Sequence, residues 1–308
     1  MRLTTNLKKV SIAYILKHNT HEIYKEMVPR LISLLLLIGL VTVPFYYSSH
    51  IIPMWMQFFS SKIVASSLTF PVSAGVTYII GNSIYVAIYY LEIPFFEQYK
   101  VTKKPWPWRT SARAEFFDKL KFTLPMLAFN NYVVVPCVTL IVVYVYRYEA
   151  KTTIEEMPSF LVHLLQICFM VLCEDFMSYW GHRSIHHPYL YKNIHYIHHK
   201  HNETLSFAAE ICHPIEFVLL DILPLMTGPL ILGKQAHFLT VAIYCVFRLT
   251  ETMEGHSGYE FPWAITRFIP LSCTTEYHGF HHLTNKGNFA TFFLIWDSIC
   301  GTNQTYYE

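Results

Sequence analysis

Residues 174–202 read EDFMSYWGHRSIHHPYLYKNIHYIHHKHN and set seven histidines, His182, His186, His187, His195, His198, His199 and His201, directly behind an apolar run. Residues 276–282, EYHGFHH, add His278, His281 and His282 and repeat the HxxHH spacing of His195, His198 and His199. On a helix, residues three or four apart share a face, so each repeat can aim two or more imidazoles at one point. Neutral imidazole ligates iron, zinc, copper or nickel, and this many candidates exceeds the four-coordinate need of a single zinc. Two metal ions are therefore expected. The HExxH signature of zinc proteases is absent, so the ligand set reads as almost entirely histidine. The competing reading, a solvated polar surface or a satisfied hydrogen-bond network, does not explain why the spacing recurs. His18, His21, His50, His163 and His237 lie outside the clusters and are read as non-ligands.

Outward from this stretch the chain is strongly apolar. Of its 308 residues 53% are hydrophobic and only 14% charged, with a mean hydropathy of +0.30, which places it with membrane proteins. A net charge of +2 leaves no basic footprint for a nucleic-acid partner. The seven cysteines are scattered, never spaced as CxxC, and read as reduced core residues. The N-terminus shows no cleavable signal peptide and the C-terminus no retrieval tail.

A helix needs about 20 apolar residues to cross the hydrocarbon. Leu31 to Tyr47, Val72 to Tyr90, Asn131 to Tyr146 and the shorter Phe160 to Cys173 approach this length. Phe217 to Leu232, broken by Pro224, Gly228 and Pro229, and Phe238 to Leu249 read as a pair of shallow or re-entrant helices. Lysine and arginine crowd the N-terminal arm and residues 92–128 but are sparse in 48–71 and 147–159, so the positive-inside rule sets the N-terminus and everything after Phe176 in the cytosol. The sequons at Asn202 and Asn303 are then expected to be unglycosylated. The expected fold is all-α: a multi-span integral membrane helical bundle with a cytosolic, helical, histidine-rich di-iron cap. Residues 1–158 hold the N-terminal arm and first spans and 159–308 the histidine boxes, in one integrated domain without repeats or flexible linkers.

The three boxes HRSIH, HYIHH and HGFHH resemble, in order and spacing, those of the fatty acid hydroxylase and sterol desaturase superfamily. Within it the chain most resembles the methylsterol monooxygenases, through LYKNIHYIHH, AAEICHPIE, LTETMEGHSGYEFP and GNFATFFLIWDSICGT, over residues 170 to 303. The resemblance implies that His182, His186, His195, His198, His199, His278, His281 and His282 are iron ligands. His256 and His213 are further candidates, as is His187, which competes with His186 as the partner of His182. Asp175 and Glu210 are candidate carboxylates for orienting imidazoles. The chain departs from the family pattern at Thr204-Leu205-Ser206, where proline and glycine are usual, and at Gly279, where aspartate is usual.

The resemblance further implies an enzyme of the endoplasmic reticulum membrane that holds two non-haem iron ions and uses O2 to oxidise the C-4 methyl group of a sterol. Without a flavin, haem or nucleotide fingerprint of its own, it would take electrons from cytochrome b5 and an NAD(P)H-dependent reductase. Two alternatives stand beside this. One is another lipid oxidation on the same fold, a sterol desaturation or fatty acid hydroxylation. The other is a metal transporter, which the near absence of ionisable residues in the four likely spans argues against.

Overall fold

The computed structural model describes residues 12–201 and 204–304, with side chains from Met27 onward; the sequon asparagine Asn202 and the basic residues Lys8 and Lys9 lie outside the described residues. The described chain is helical. Among the described residues extended pairing is confined to three isolated bridges, Lys100 with Tyr259, Lys151 with His237 and Ser272 with Phe293.

Five helices are long and apolar enough to cross a membrane: Met27–Tyr46, Lys62–Leu91, Arg113–Tyr146, Phe160–Ile185 and Pro214–Gln235, here the first to fifth spans. Their outer faces carry Leu35, Leu36, Ile80, Val145, Leu161, Leu165 and Leu172, each about half exposed or more. An apolar surface of this extent belongs in lipid, and the protein is a multi-pass membrane protein. Prolines inside the spans, among them Pro44, Pro71, Pro125 and Pro229, are the breakers that lipid-embedded helices tolerate.

The fourth span is longer than its apolar stretch, because the helix runs on from Cys173 through the first histidine box to Ile185. Ser159 starts it, its hydroxyl accepting from the Val162 backbone N–H. Asp175, Tyr179 and His182 are thereby carried on one rigid rod, buried along its inner side.

The expected pair of re-entrant helices is instead a hairpin across the whole bundle. The fifth span runs away from the histidines, and Phe238–Gly255 returns to them. At the turn, Lys151 N–H donates to the Ala236 carbonyl at 2.8 Å and Phe238 N–H to the Lys151 carbonyl at 2.9 Å, which ties it to the loop between the third and fourth spans. At the far end of the returning helix the Tyr89 hydroxyl donates to the Ser257 carbonyl at 2.8 Å, beside the end of the second span. Eighteen residues rise about 27 Å, close to the hydrocarbon thickness. Sequence hydropathy stops this helix at Leu249 and does not read it as a crossing because it carries Arg248, Glu251 and Glu254, yet all three are buried. Arg248 donates to Glu174 of the fourth span at 2.6 Å and to Glu251 at 2.7 Å, so the charges meet inside protein rather than lipid. The helix packs chiefly on the second and fourth spans. Gly228 of the fifth span lies so close to the Met170 backbone of the fourth that a side chain there would collide with it.

This topology gathers residues 92–112, 186–213 and 256–304, with all three histidine boxes, at one end of the bundle.

Candidate metal centre

Two groups of histidines converge, and the split follows the i, i+4 spacing. His182, His186, His195, His199 and His281 form one group; His198, His256, His278 and His282 form the other, with the ligand atoms of each within 4.8 Å of one another. The pairs His182/His186, His195/His199 and His278/His282 each point one way. The middle histidine of each HxxHH, His198 in one and His281 in the other, turns to the opposite group. The second box achieves this on a 3-10 turn, His195–Lys200, and the third on the α-helix Thr275–Thr284. Thr274 caps that helix by accepting from Tyr277 N–H, and Asn285, at φ 56°, ends it.

In the five-histidine group the Nε2 atoms of His186 and His281 are 3.1 Å apart, those of His195 and His186 3.0 Å, and those of His199 and His195 3.0 Å. In the four-histidine group His278 and His256 approach to 2.8 Å and His282 and His278 to 3.0 Å, again Nε2 to Nε2. The other ring nitrogens are held from behind. His182 Nδ1 meets the Phe289 carbonyl at 2.9 Å, His281 Nδ1 the Gly287 carbonyl at 2.7 Å, His256 Nδ1 the Thr252 carbonyl at 2.9 Å and His198 Nδ1 the Ile211 carbonyl at 3.3 Å. A carbonyl only accepts, so each of these Nδ1 atoms carries the proton and a neutral ring presents its Nε2 lone pair to the common centre. Lone pairs facing each other at about 3 Å repel unless a cation lies between them, so the donor set fits one metal ion per group.

Burial keeps the rings neutral. It lowers His256 to about 4 and pushes His195, His198, His278, His281 and His282 well below the ordinary imidazole value, with neighbouring histidines adding repulsion to any proton. His186 and His199 shift strongly the same way for the same reasons.

The bracing residue that sequence reasoning missed is Glu216. Its carboxylate accepts a hydrogen bond from His195 Nδ1–H at 2.6 Å in a buried pair, from the first turn of the fifth span. The only sequence signal was a carboxylate at the head of an apolar run, inside AAEICHPIE. Both carboxylates expected in this role serve elsewhere. Asp175 spends its oxygens on Phe293 N–H at 2.9 Å and Trp296 Nε1–H at 2.7 Å, pinning the C-terminal segment to the fourth span. Glu210 accepts from the Asn131 amide at 3.2 Å, and burial raises it to about 7. His187 is exposed after the end of its helix, outside both groups. His213 is likewise outside, because its Nδ1 accepts from Ile215 N–H and caps the short helix Pro214–Glu216. His163 and His237 also stand apart, His163 Nδ1 bonded to the Thr240 hydroxyl and His237 Nδ1 capping the returning helix.

Gly287 illustrates how the backbone builds this site. At φ +62° it turns the chain, and a Cβ there would strike the Thr302 carbonyl. Its own carbonyl is thereby aimed at His281. At the family departures, Ser206 bonds Asn82 of the second span at 2.7 Å, and Gly279 faces open space.

A cavity of about 440 Å³ reaches the histidines from within the bundle. His182 and His195 of one group and His198, His256 and His278 of the other form its histidine wall. The remainder is mainly apolar, with Phe70, Leu127, Val135, Phe217, Leu225 and Leu249, and it has the size of a small-molecule site. Two π turns, Asn130–Val134 and Phe217–Ile222, interrupt the third and fifth spans where they line it, as π turns do at functional sites.

Fold and site together define a multi-span membrane protein with two adjacent all-histidine groups, each spaced to hold a metal ion, facing a mainly apolar cavity. The fatty acid hydroxylase family model matches residues 167–302, and the chain belongs to that family. It is 34% identical over 221 residues to a protein of Dictyostelium discoideum named as a methylsterol monooxygenase, covering 70% of this chain and 76% of that one. It is 37% identical over 153 residues to methylsterol monooxygenase 2-2 of Arabidopsis thaliana and, to the same extent, to a very-long-chain aldehyde decarbonylase of Oryza sativa subsp. indica. Each of these two matches covers 49% of this chain and 56% of the plant protein, little more than half its length. No solved structure matches the chain.

Proposed function

We propose that this protein is a methylsterol monooxygenase that oxidises the C-4 methyl group of a sterol at two iron ions with O2. The observation that carries this reading is the convergence of nine neutral imidazoles into two groups at the closed end of an apolar cavity that opens among membrane spans. The names of the Dictyostelium and Arabidopsis relatives supply the substrate class.

In this reading His182, His186, His195, His199 and His281 hold one iron and His198, His256, His278 and His282 the other. Bound iron supplies the activation of O2 and the oxidation of an unactivated C–H bond. The chain supplies the rest. Backbone carbonyls of Phe289, Gly287, Thr252 and Ile211 fix the tautomers that leave each Nε2 free, and Glu216 makes His195 the most basic donor. The apolar wall holds a rigid lipid and excludes bulk water from the oxidising centre.

Residues 92–112 carry Lys100, Lys103, Lys104 and Arg109 at the histidine end, whereas the loops at the opposite end are poor in basic residues. That asymmetry supports a cytosolic histidine face in the endoplasmic reticulum membrane, accessible to cytochrome b5 and its NAD(P)H-dependent reductase as electron donors. The test is product analysis by mass spectrometry after membranes bearing the protein receive a 4,4-dimethylsterol, NADH and O2. Oxygen-dependent oxidation of the C-4 methyl, lost in His281→Ala, is expected. An untouched sterol beside an oxidised or decarbonylated fatty acyl lipid would reject the sterol assignment and keep the oxygenase.

A further inference from the structure

The cavity is exposed along one flank of the bundle. Its wall includes Ile79 of the second span and Leu124, Ala128 and Tyr132 of the third. All four are exposed, Ile79 at 63% and Tyr132 at 78%, while the histidine end of the same cavity is buried. Leu124, Ala128 and Tyr132 recur at i, i+4 and i+8, so they form one stripe along the third span. The second span packs chiefly on the returning helix and on the far part of the third span, residues 135–146, leaving the near part apart from it. The opening therefore lies between Ile79 and this stripe.

The rim is apolar apart from the Tyr132 hydroxyl. Val76, Ile80 and Ile84 flank it on one side and Phe122, Phe129 and Val133 on the other, each more than two-fifths exposed. The last exposed charge of the third span is Lys121, and the stripe begins three residues later. At 1.5 Å per residue it covers depths of about 5 to 16 Å beyond that charge, within one leaflet of a bilayer. Gly75 lines the cavity one turn from Ile79, and a Cβ added there meets nothing within 4 Å. The space at the mouth is thus kept by the absence of a side chain.

We propose that the cavity is loaded sideways from the bilayer, through the gap between the second and third spans, and that Gly75 is the residue that sets the width of this mouth. The passenger is a membrane-dissolved sterol, an identity that rests on the function proposed above; the route itself does not. The polar Asn131 and Glu210, bonded to each other on the cavity wall, are hydrogen-bonding groups within reach of a lipid hydroxyl inside the cavity.

The test uses the full chain, loaded with iron, in phosphatidylcholine vesicles containing a diazirine-bearing cholesterol analogue. Irradiation followed by peptide mass spectrometry is expected to map crosslinks to Ile79, Leu124, Ala128 and Tyr132. In Gly75→Ala, Gly75→Leu and Gly75→Trp, crosslinking and turnover should fall progressively with side-chain size, by about tenfold or more for the largest, with bound iron and thermal midpoint unchanged. Ile79→Trp, at an exposed position, narrows the same mouth from the rim and should reproduce the loss should Gly75→Trp fold poorly. Wild-type crosslinking in both tryptophan variants, or crosslinks confined to the water-facing helix Pro188–Asn193, would overturn the route. Crosslinking needs no turnover, so crosslinks at the mouth without oxidation of a 4-methylsterol would sink the sterol chemistry and uphold the lateral entry.

Discussion

The two histidine groups draw on the same helices but are braced differently. Behind the five-histidine group stands a carboxylate, Glu216 on His195 at 2.6 Å, together with the carbonyls of Phe289 and Gly287. Behind the four-histidine group the bracing partners are the carbonyls of Ile211 and Thr252, and the Nδ1 atoms of His278 and His282 are buried without a partner. A carboxylate raises the basicity of its imidazole more than a neutral carbonyl does. With iron bound as proposed, the first group is therefore expected to be the stronger electron donor and the tighter site, and the second the weaker one.

That contrast is broken most severely by removing a ligand. His281→Ala is expected to abolish turnover and empty the five-histidine group, and His256→Ala to empty the four-histidine group while the other keeps its metal. Iron analysis on purified protein checks both. Retention of full iron in His256→Ala would return that residue to a structural role.

The next effect tests the bracing itself. Glu216→Gln keeps the shape of the side chain but removes the charge behind His195, and metal affinity in the five-histidine group should weaken by about ten- to a hundredfold. Competition with a chelator measures this; equal release from both groups would erase the proposed asymmetry. Asp175→Ala should behave oppositely. It leaves two partly buried N–H groups unpaired, costing about 2 kcal/mol of stability, while folded protein is expected to retain its metal.

A smaller effect concerns pH. Burial raises Glu210 from its ordinary value of 4.5 to about 7, so the folded state keeps a proton that the unfolded chain releases. Its contribution to stability is then fully present below about pH 4.5 and is lost as pH rises through about 7. Thermal unfolding of Glu210→Gln should lack this decline; an unchanged pH profile would show that Glu210 is ionised in the folded protein. The smallest change is expected at His187, outside both groups and exposed, where alanine should leave activity within about twofold.

The fold class was legible because uninterrupted apolar length and repeated histidine spacing are local properties of the chain. The division of the boxes between two centres was half legible: i, i+4 spacing pairs His195 with His199 and His278 with His282, but only the folded backbone turns His198 and His281 to opposite groups. The returning helix was legible only as the apolar run Phe238 to Leu249, and its crossing of the bundle was hidden because Arg248 and its two glutamates resemble a water-exposed segment until they are seen pairing inside the bundle. Asp175 and Glu210 misled for the same reason that Glu216 was overlooked. A carboxylate near a histidine in sequence says little about which ring nitrogen it meets, and the carbonyls of Gly287 and Phe289 carry no side-chain signal at all.

The most direct test of two adjacent histidine sites is the amount of iron bound per chain, read by elemental analysis together with Mössbauer spectroscopy on anaerobically purified, iron-loaded protein. Two iron ions per wild-type chain, with one remaining in His256→Ala, is the result expected from this geometry. A single iron in the wild type that survives loss of His256 would mean that the four-histidine group is not a metal site.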